Sequence, residues 1–365
     1  MRRRDFVLSL AALSAFPAFA RRVAADPATD FAPVVAGRSL VFPRDHGAHP
    51  DFRTEWWYAT GWLSLPDGSP LGFQTTFFRV RTGIGEDNPS SFAPSQLILA
   101  HAAIADPRLG RLRHDQRIGR VSRLGRAGFE AGRTEVWIGD WRFHQQDGAY
   151  RAEVQGEDFS YALTLVAEAP PMQNGDRGFS MKAPQARHAS YYYSRPQLGV
   201  SGTVTLDGRQ QPVTGRAWLD HEWSSELLPE AAQGWDWVGL NLADGGALMV
   251  FRLRRADGTP LWAAATLREA SGTRTFAPGE VSFAAQRRWQ SVRTGITYPV
   301  EWRIRVGTRE FQVSPLFDDQ ELDSRLSTGN VYWEGAVSVS ENEREVGRGY
   351  LEMTGYGERI RIDRD

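Results

Sequence analysis

The dipeptide Asp-Gly recurs at Asp67-Gly68, Asp147-Gly148, Asp207-Gly208, Asp244-Gly245 and Asp257-Gly258, each time between segments of strand length. Asp-Gly accepts the positive φ angles that a tight hairpin demands, so this recurrence divides the chain into antiparallel hairpins. The flanking segments agree. Leu71–Val80 (LGFQTTFFRV), Ala247–Leu253 (ALMVFRL) and Val300–Val306 (VEWRIRV) alternate or run apolar over strand length. Long amphipathic helical periodicity is absent, and short helices are expected only at Ser224–Ala232 and within Leu124–Ala131. The 13 Trp and 19 Phe, with 36 Gly and 20 Pro, suit an all-β chain rich in turns. Antiparallel strands without helices to cover them are most stable when closure removes their edges, so barrels or sandwiches are expected. A barrel with an apolar interior would also contain a pocket.

At 365 residues the chain exceeds what a single core usually supports, and an internal repeat supplies a division. Residues 192 to 223 and 332 to 356 share an order of features: an aromatic pair, Gly, an alternating strand, a polar turn, Val with Gly, Arg, and an aromatic-Leu-acid triplet. The triplets are Trp218-Leu219-Asp220 and Tyr350-Leu351-Glu352. An earlier echo sets Gly61–Gly68 (GWLSLPDG) against Val238–Gly245 (VGLNLADG). Two tandem β-units follow, over residues 38–225 and 234–362.

The first 25 residues read as an export signal. Three arginines precede an apolar run from Phe6 to Phe19, and Arg3-Arg4-Asp5-Phe6-Val7 fits the twin-arginine pattern. Cleavage is expected after Ala20 or Ala25, and the run is shorter than the ~20 residues of a spanning helix. The expected address is the periplasm or the cell exterior, with no stable membrane anchor. Loss of residues 1–25 removes five arginines and one aspartate, which takes the formal charge from −1 to −5. No basic run remains to bind nucleic acid. With no cysteine there can be no disulfide, thiolate metal site or cysteine nucleophile. Lysine occurs once, at Lys182, which reads as genome composition.

Two clusters could carry chemistry. In the first, Asp45, His46, His49, Arg53 and Glu55 lead into Trp56-Trp57-Tyr58. His46 and His49, with Asp45 or Glu55 as a third ligand, could bind a metal. The pair lacks the helix that would put both imidazoles on one face, so a hydrogen-bonded structural loop is the preferred reading and no metal or cofactor is expected. On the strand that follows, Glu55, Trp57 and Ala59 face one side, and Trp56, Tyr58 and Thr60 the other. In the second cluster, Trp218, Asp220 and Glu222 share a face opposite Leu219, His221 and Trp223, and beyond a loop Asp236 lies opposite Trp235 and Trp237. A carboxyl group enclosed by tryptophan keeps its proton to higher pH and can act as a general acid, while the indole faces stabilise a cation. The preferred reading of this cluster is nevertheless a domain junction in which Asp220, His221 and Arg216 form an ion-pair network and the tryptophans pack. Ser224-Ser225 is too close to His221 for a triad, and no Gly-x-Ser-x-Gly, Walker or dinucleotide motif is present.

At these residues the chain resembles the AttH-like proteins, secreted lipocalin-like proteins related to the N-terminal region of carotenoid 1,2-hydratase. The matching stretches are Phe42–Leu63 (FPRDHGAHPDFRTEWWYATGWL), Phe73–Arg79 (FQTTFFR), Leu99–Pro107 (LAHAAIADP), Gly215–Leu228 (GRAWLDHEWSSELL) and Gly234–Gly245 (GWDWVGLNLADG). The resemblance implies two tandem lipocalin-like antiparallel β-barrels related by a pseudo-twofold axis. The hydratase pattern points to His221, Trp223, Trp235 and Asp236. Taken with the residue-level reading, the candidate catalytic groups are Asp220, His221 and Asp236. The candidate ligand-binding groups are His46, His49, Glu55, Trp57, Tyr58, Arg79, His101, Trp223, Trp235 and Trp237. The expected function is binding of an apolar isoprenoid or lipid-like molecule, with an ABC transporter as a partner. The alternative is hydration or isomerisation of an alkene-containing lipid with Asp236 or Asp220 as proton donor, and a secreted hydrolase stands third. In either of the first two readings the loop from Phe42 closes the first barrel and ties it to the second cluster across the domain junction.

Overall fold

The computed structural model describes residues 30–90 and 93–360, so the segment read as an export signal lies outside the described residues. Every strand pairing is antiparallel, and two single-turn 3-10 segments are the only helical elements among the described residues. The two expected short helices are replaced by a short strand at Ala127–Phe129 and by turns after Ser224, where Pro229 interrupts the segment.

The first sheet is built on four successive strands, β1 (Thr54–Ser64), β2 (Pro70–Arg81), β3 (Gln96–Asp106) and β4 (Arg111–Arg120). Across it the order is β4, β3, β2, β1, then Arg209–Ser224, Ala189–Leu206, Phe159–Val166, Ala149–Gln155 and Trp141–Gln146, with two short strands beyond. The second sheet repeats that order with Gly272–Phe276, Pro260–Glu269, Ala247–Arg254, Gly234–Leu242, Arg344–Met353, Asn330–Glu341, Arg309–Pro315, Thr297–Val306 and Val281–Gln290. Even the short side strands correspond: Phe179–Met181 pairs with Ala189–Leu206, and Glu321–Ser324 pairs with Asn330–Glu341. In the first sheet β4 comes back against the strand Glu135–Ile138, which makes a nearly closed barrel of the lipocalin type.

The turn chemistry accounts for several hairpins. Asp147-Gly148 and Asp207-Gly208 form two-residue loops in which both residues have positive φ, the geometry for which this dipeptide is suited. The same loop is made by Asn342-Glu343, both at positive φ, without a glycine to announce it.

Alternation then places the side chains. In β1, Glu55, Trp57, Ala59 and Leu63 point into the first barrel, where they meet Phe73, Phe77, Leu219 and other apolar side chains. The second barrel is filled in the same way by Val238, Leu240, Val300, Trp302, Phe311 and Trp333. Both interiors are packed cores, so the expected pocket inside a barrel is not where space remains. The outward faces of β1 and Arg209–Ser224 lie against those of Gly234–Leu242 and Arg344–Met353, joined by a cluster containing Tyr58, Trp218, Trp237, Phe251 and Tyr350. One end of this junction is bridged by hydrogen bonds between the sheets. Trp62 Nε1 donates to Gly349 O at 3.0 Å, Gln197 N to Asn241 Oδ1 at 2.7 Å, and Asn241 Nδ2 to Ala217 O at 3.1 Å. At the other end the sheets part around a cavity of about 450 Å³.

Candidate functional site

The loop from Phe42 to Arg53 plugs the first barrel. Ala48 N donates to Glu130 O at 2.9 Å and Thr134 Oγ1 donates to His46 O at 2.8 Å. Gly47 passes so close to Gly132 and Arg133 that a Cβ would lie 2.0 Å from the Gly132 nitrogen, so no other residue fits. Beneath the loop lies a buried polar network. Glu55 Oε1 accepts from His49 Nδ1 at 2.8 Å and from His221 Nε2 at 2.9 Å, and Oε2 accepts from Arg79 Nε at 2.8 Å. Burial alone would raise the Glu55 carboxyl, but the charges of Arg79 and His49 and the imidazole hydrogen bonds hold it well below the usual carboxylate range. Burial lowers His221 despite Glu55, so its ring is neutral. With Nε2–H on Glu55, its Nδ1 accepts from the Tyr193 hydroxyl at 3.1 Å, and His46 Nδ1–H donates to the same hydroxyl at 3.0 Å. The rings pack flat, His49 on Trp223 at 3.7 Å and His221 on Trp57 at 4.8 Å.

His49, Glu55 and His221 bring ligand atoms within 4.8 Å of one another, the grouping among the described residues that could hold a metal ion. It differs from the His46–His49 pairing that the sequence offered as its less favoured, metal-binding reading, since His46 turns to Tyr193. Arg79 already supplies positive charge to the same carboxylate, which opposes a dication there. The loop is tied to His221 within the first barrel, so this network does not cross the junction between the sheets.

Asp236 occupies a corresponding interior position in the second barrel. It is buried and accepts from Arg252 Nε at 2.7 Å, Arg254 Nε at 2.9 Å and the Tyr356 hydroxyl at 2.9 Å. Strand alternation explains why it is turned from the cavity that its neighbours Trp235 and Trp237 line.

The cavity between the sheets holds a different set of carboxyl groups. From the first sheet come Asp220 and Glu222, and from the second Glu334 and Glu352, among Trp56, Tyr58, Phe78, Tyr192, Trp235 and Trp237. Asp220 lies directly across from Tyr58, and Glu352 directly across from Trp237, so the acids of the two repeated triplets face the same space. Asp220 has no basic partner among the described residues. Its Oδ2 accepts from the Tyr192 hydroxyl at 2.6 Å, and its Oδ1 from Ser194 Oγ at 2.5 Å and Trp218 Nε1 at 2.7 Å. Burial outweighs these three donors and pushes its carboxyl up to about 7. Glu352 accepts from Trp235 Nε1 at 2.9 Å, and burial, reinforced by the charges of Asp220 and Glu222, pushes it up to about 8. Glu334 pairs across the ladder with Glu352, and burial and that neighbouring charge hold it well above the carboxylate range. Two such groups side by side keep at least one proton at neutral pH. The buried Tyr58 hydroxyl has no hydrogen-bond partner among the described residues and feels the charges of Glu334, Glu352 and Asp220.

Of the residues singled out from the sequence, Asp220, Tyr58, Trp235 and Trp237 line this cavity. His46, His49, Glu55, Trp57, Arg79, His221 and Trp223 belong to the plug, and Asp236 to the second barrel. His101 lies behind the cavity wall, where its Nε2 is 2.8 Å from Oγ of the lining residue Ser327, and burial lowers its imidazole to about 3. Arg216 pairs with Glu168 at 3.2 Å, so the expected ion-pair network with Asp220 and His221 does not form. Glu334, Glu352, Tyr192 and Lys182 were passed over. The repeat contained the signal for two of them, because it aligned Glu352 with Asp220 and Tyr332 with Tyr192.

This architecture defines a class: a two-barrel, lipocalin-type protein with an aromatic, carboxyl-lined cavity at the junction of its repeats. The chain belongs to the AttH-like family, whose profile matches residues 33–356. It is similar to the crystal structure of a protein from Nitrosomonas europaea assigned as AttH, at 52% identity and a TM-score of 0.85 over 89% of this chain and 100% of that one. Kievitone hydratase from Nectria haematococca shares the fold at 14% identity and a TM-score of 0.68, over 89% and 95% of the two chains. CghA shares it at 15% identity and a TM-score of 0.54, over 87% and 93%. No curated protein sequence matches the chain.

Proposed function

We propose that the protein is an acid catalyst of the hydratase type, acting on a carbon–carbon double bond of an apolar small molecule held between the two barrels. The observation that carries this reading is a contrast among buried acids. Glu55 and Asp236 each have arginine partners, as structural carboxylates do, whereas Asp220, Glu334 and Glu352 have no basic partner among the described residues and retain protons near neutrality. A pocket that only bound an apolar molecule would gain nothing from desolvating three carboxyl groups.

Glu352 is the proton donor. One of its oxygens is held by Trp235, which leaves the other to deliver a proton to an alkene carbon. The electron pair of the double bond forms the new C–H bond, and the resulting cation lies among the faces of Trp56, Trp235 and Trp237. Water adds to the cation and passes a proton to Asp220, whose carboxyl, raised to about 7, is ionised in part at neutral pH and can take it. Return of that proton to Glu352 through solvent closes the cycle, with one water added overall. Loss of a different proton from the cation would give isomerisation instead. That a hydratase is built on the same fold agrees with this reading. The twin-arginine pattern would place the reaction in the periplasm or beyond it.

The test is isotopic. Compounds extracted from the protein purified from its own host are incubated with it in D2O enriched in H2 18O. Carbon-bound deuterium with 18O in the recovered compound is expected from the wild type, and neither label from Glu352→Gln. Compounds that bind yet acquire no label would reduce the protein to a carrier.

A further inference from the structure

The chain contains 42 arginines and one lysine. That lysine, Lys182, lies in the cavity wall and is 5% exposed. Its Nζ sits 2.8 Å from Glu222 Oε1 and 3.1 Å from Ser180 Oγ. It also lies over two aromatic rings, 4.3 Å from the centre of Phe251 in the second sheet and 4.9 Å from that of Tyr192 in the first. Where this protein needs a buried ion pair for structure it uses arginine, at Glu55 and at Asp236. Lysine differs in being a compact point charge with three N–H donors on a flexible stem. Glu222 and Ser180 account for two of the three, and the third has no acceptor among the described residues. An unmet donor of a buried ammonium is costly, and a ligand atom in the cavity can meet it.

We infer that Lys182 is the specificity residue of this cavity and that it donates to a neutral carbonyl oxygen of the ligand, so that the ligand is an unsaturated carbonyl compound, not a plain hydrocarbon. Glu222 already balances the ammonium charge. A carboxylate ligand would therefore add a second negative charge beside Glu222, whereas a carbonyl takes the free N–H without one. The two rings leave the sides of the ammonium apolar, so the carbonyl must approach from the cavity, with the carbon skeleton running on towards Trp237. The inference rests on the cavity being a ligand site, and it holds whether or not the bound molecule is turned over.

The test uses trans-chalcone and trans-1,3-diphenylpropene, which share a carbon skeleton and differ in the carbonyl. Binding is read from quenching of the cavity tryptophans. The wild type is expected to bind chalcone about tenfold or more tightly than diphenylpropene, the advantage of a hydrogen bond to a charged donor. Lys182→Met combined with Glu222→Gln removes both charges together and leaves no unpaired ion. That variant is expected to bind the two compounds equally, with circular dichroism confirming the fold. Because the lysine is unique, reductive methylation followed by peptide mass analysis reads it directly, and chalcone but not diphenylpropene is expected to slow its modification. Equal binding of both compounds by the wild type, or a chalcone preference that survives in the double variant, would overturn the assignment and leave the cavity reading intact. Binding of neither compound by the wild type would overturn both.

Discussion

Replacing Asp220 by Asn should make the folded protein relatively more stable as the pH rises. In the unfolded chain this carboxyl ionises near its ordinary value of 3.8, whereas in the fold burial pushes it up to about 7. Between those values the native state binds the extra proton, so the stability this group contributes is complete below about pH 4 and is lost as the pH rises through 7. Each unit corresponds to about 1.4 kcal/mol, so raising the pH from 5 to 8.5 removes about 3 kcal/mol at this position from the wild type. Asn cannot ionise and escapes that loss. It can still accept from Ser194 and Trp218 on one oxygen and can donate its amide to the Tyr192 hydroxyl, so its baseline cost at pH 5 should be about 1 kcal/mol. Urea unfolding of both proteins, followed by tryptophan fluorescence at pH 5 and pH 8.5, measures the difference of differences. The expected result is a swing of about 3 kcal/mol towards the variant. Parallel stability curves would refute the reasoning, because they would mean that Asp220 has the same charge in the fold as in the unfolded chain. A swing in the opposite direction would mean that the three donors overcome burial and hold the group ionised.

Glu352→Gln should lower turnover by about 10²- to 10⁴-fold without unfolding the protein, as expected for loss of a general acid. Wild-type activity should fall as the pH rises past about 8, where Glu352 loses its proton, and a profile flat to alkaline pH would remove it from that role. Arg79→Met should cost about 3–5 kcal/mol in denaturant unfolding near neutral pH, since it strands the Glu55 carboxylate inside the first barrel. Glu55 is depressed in the fold, so its contribution is present above the ordinary carboxylate value and lost as the pH falls through the folded one; pairing Arg79→Met with Glu55→Gln should recover much of the stability. Asp236→Asn should be destabilising by a similar ~3–5 kcal/mol, because it leaves Arg252 and Arg254 without their carboxylate. Isothermal titration of the folded variant should show unchanged affinity for cavity ligands, and a large loss of affinity would put Asp236 at the site.

Much of the fold is legible in local sequence. Hairpin turns are made by neighbouring residues, so Asp147-Gly148 and Asp207-Gly208 announce themselves, and Asn342-Glu343 escapes only because it lacks glycine. Strand alternation likewise separates Glu55 and Trp57 from Trp56 and Tyr58, and Asp220 from His221. The repeat aligns Asp220 with Glu352 in the sequence itself. What alternation leaves open is which of two faces meets an arginine, a packed core or a void, since that depends on strands far away in the chain. His221 reaches Glu55 across 166 residues and Asp236 is neutralised by the next strand, whereas Asp220 and Glu352 come to one cavity only because two barrels pack outer face to outer face. Lys182 makes the same point. Its rarity is visible in the sequence, but its lodging between Tyr192 and Phe251, from different sheets, exists only after the barrels have closed and docked. The sequence alone determined two repeats of an antiparallel barrel and the strand faces on which Glu55, Trp57, Tyr58, Asp220, His221, Trp223, Trp235, Asp236 and Trp237 lie. Only the tertiary structure decided which acids are paired and which keep their protons, because a carboxyl group's state is set by the charges and water that remain around it once distant strands have packed.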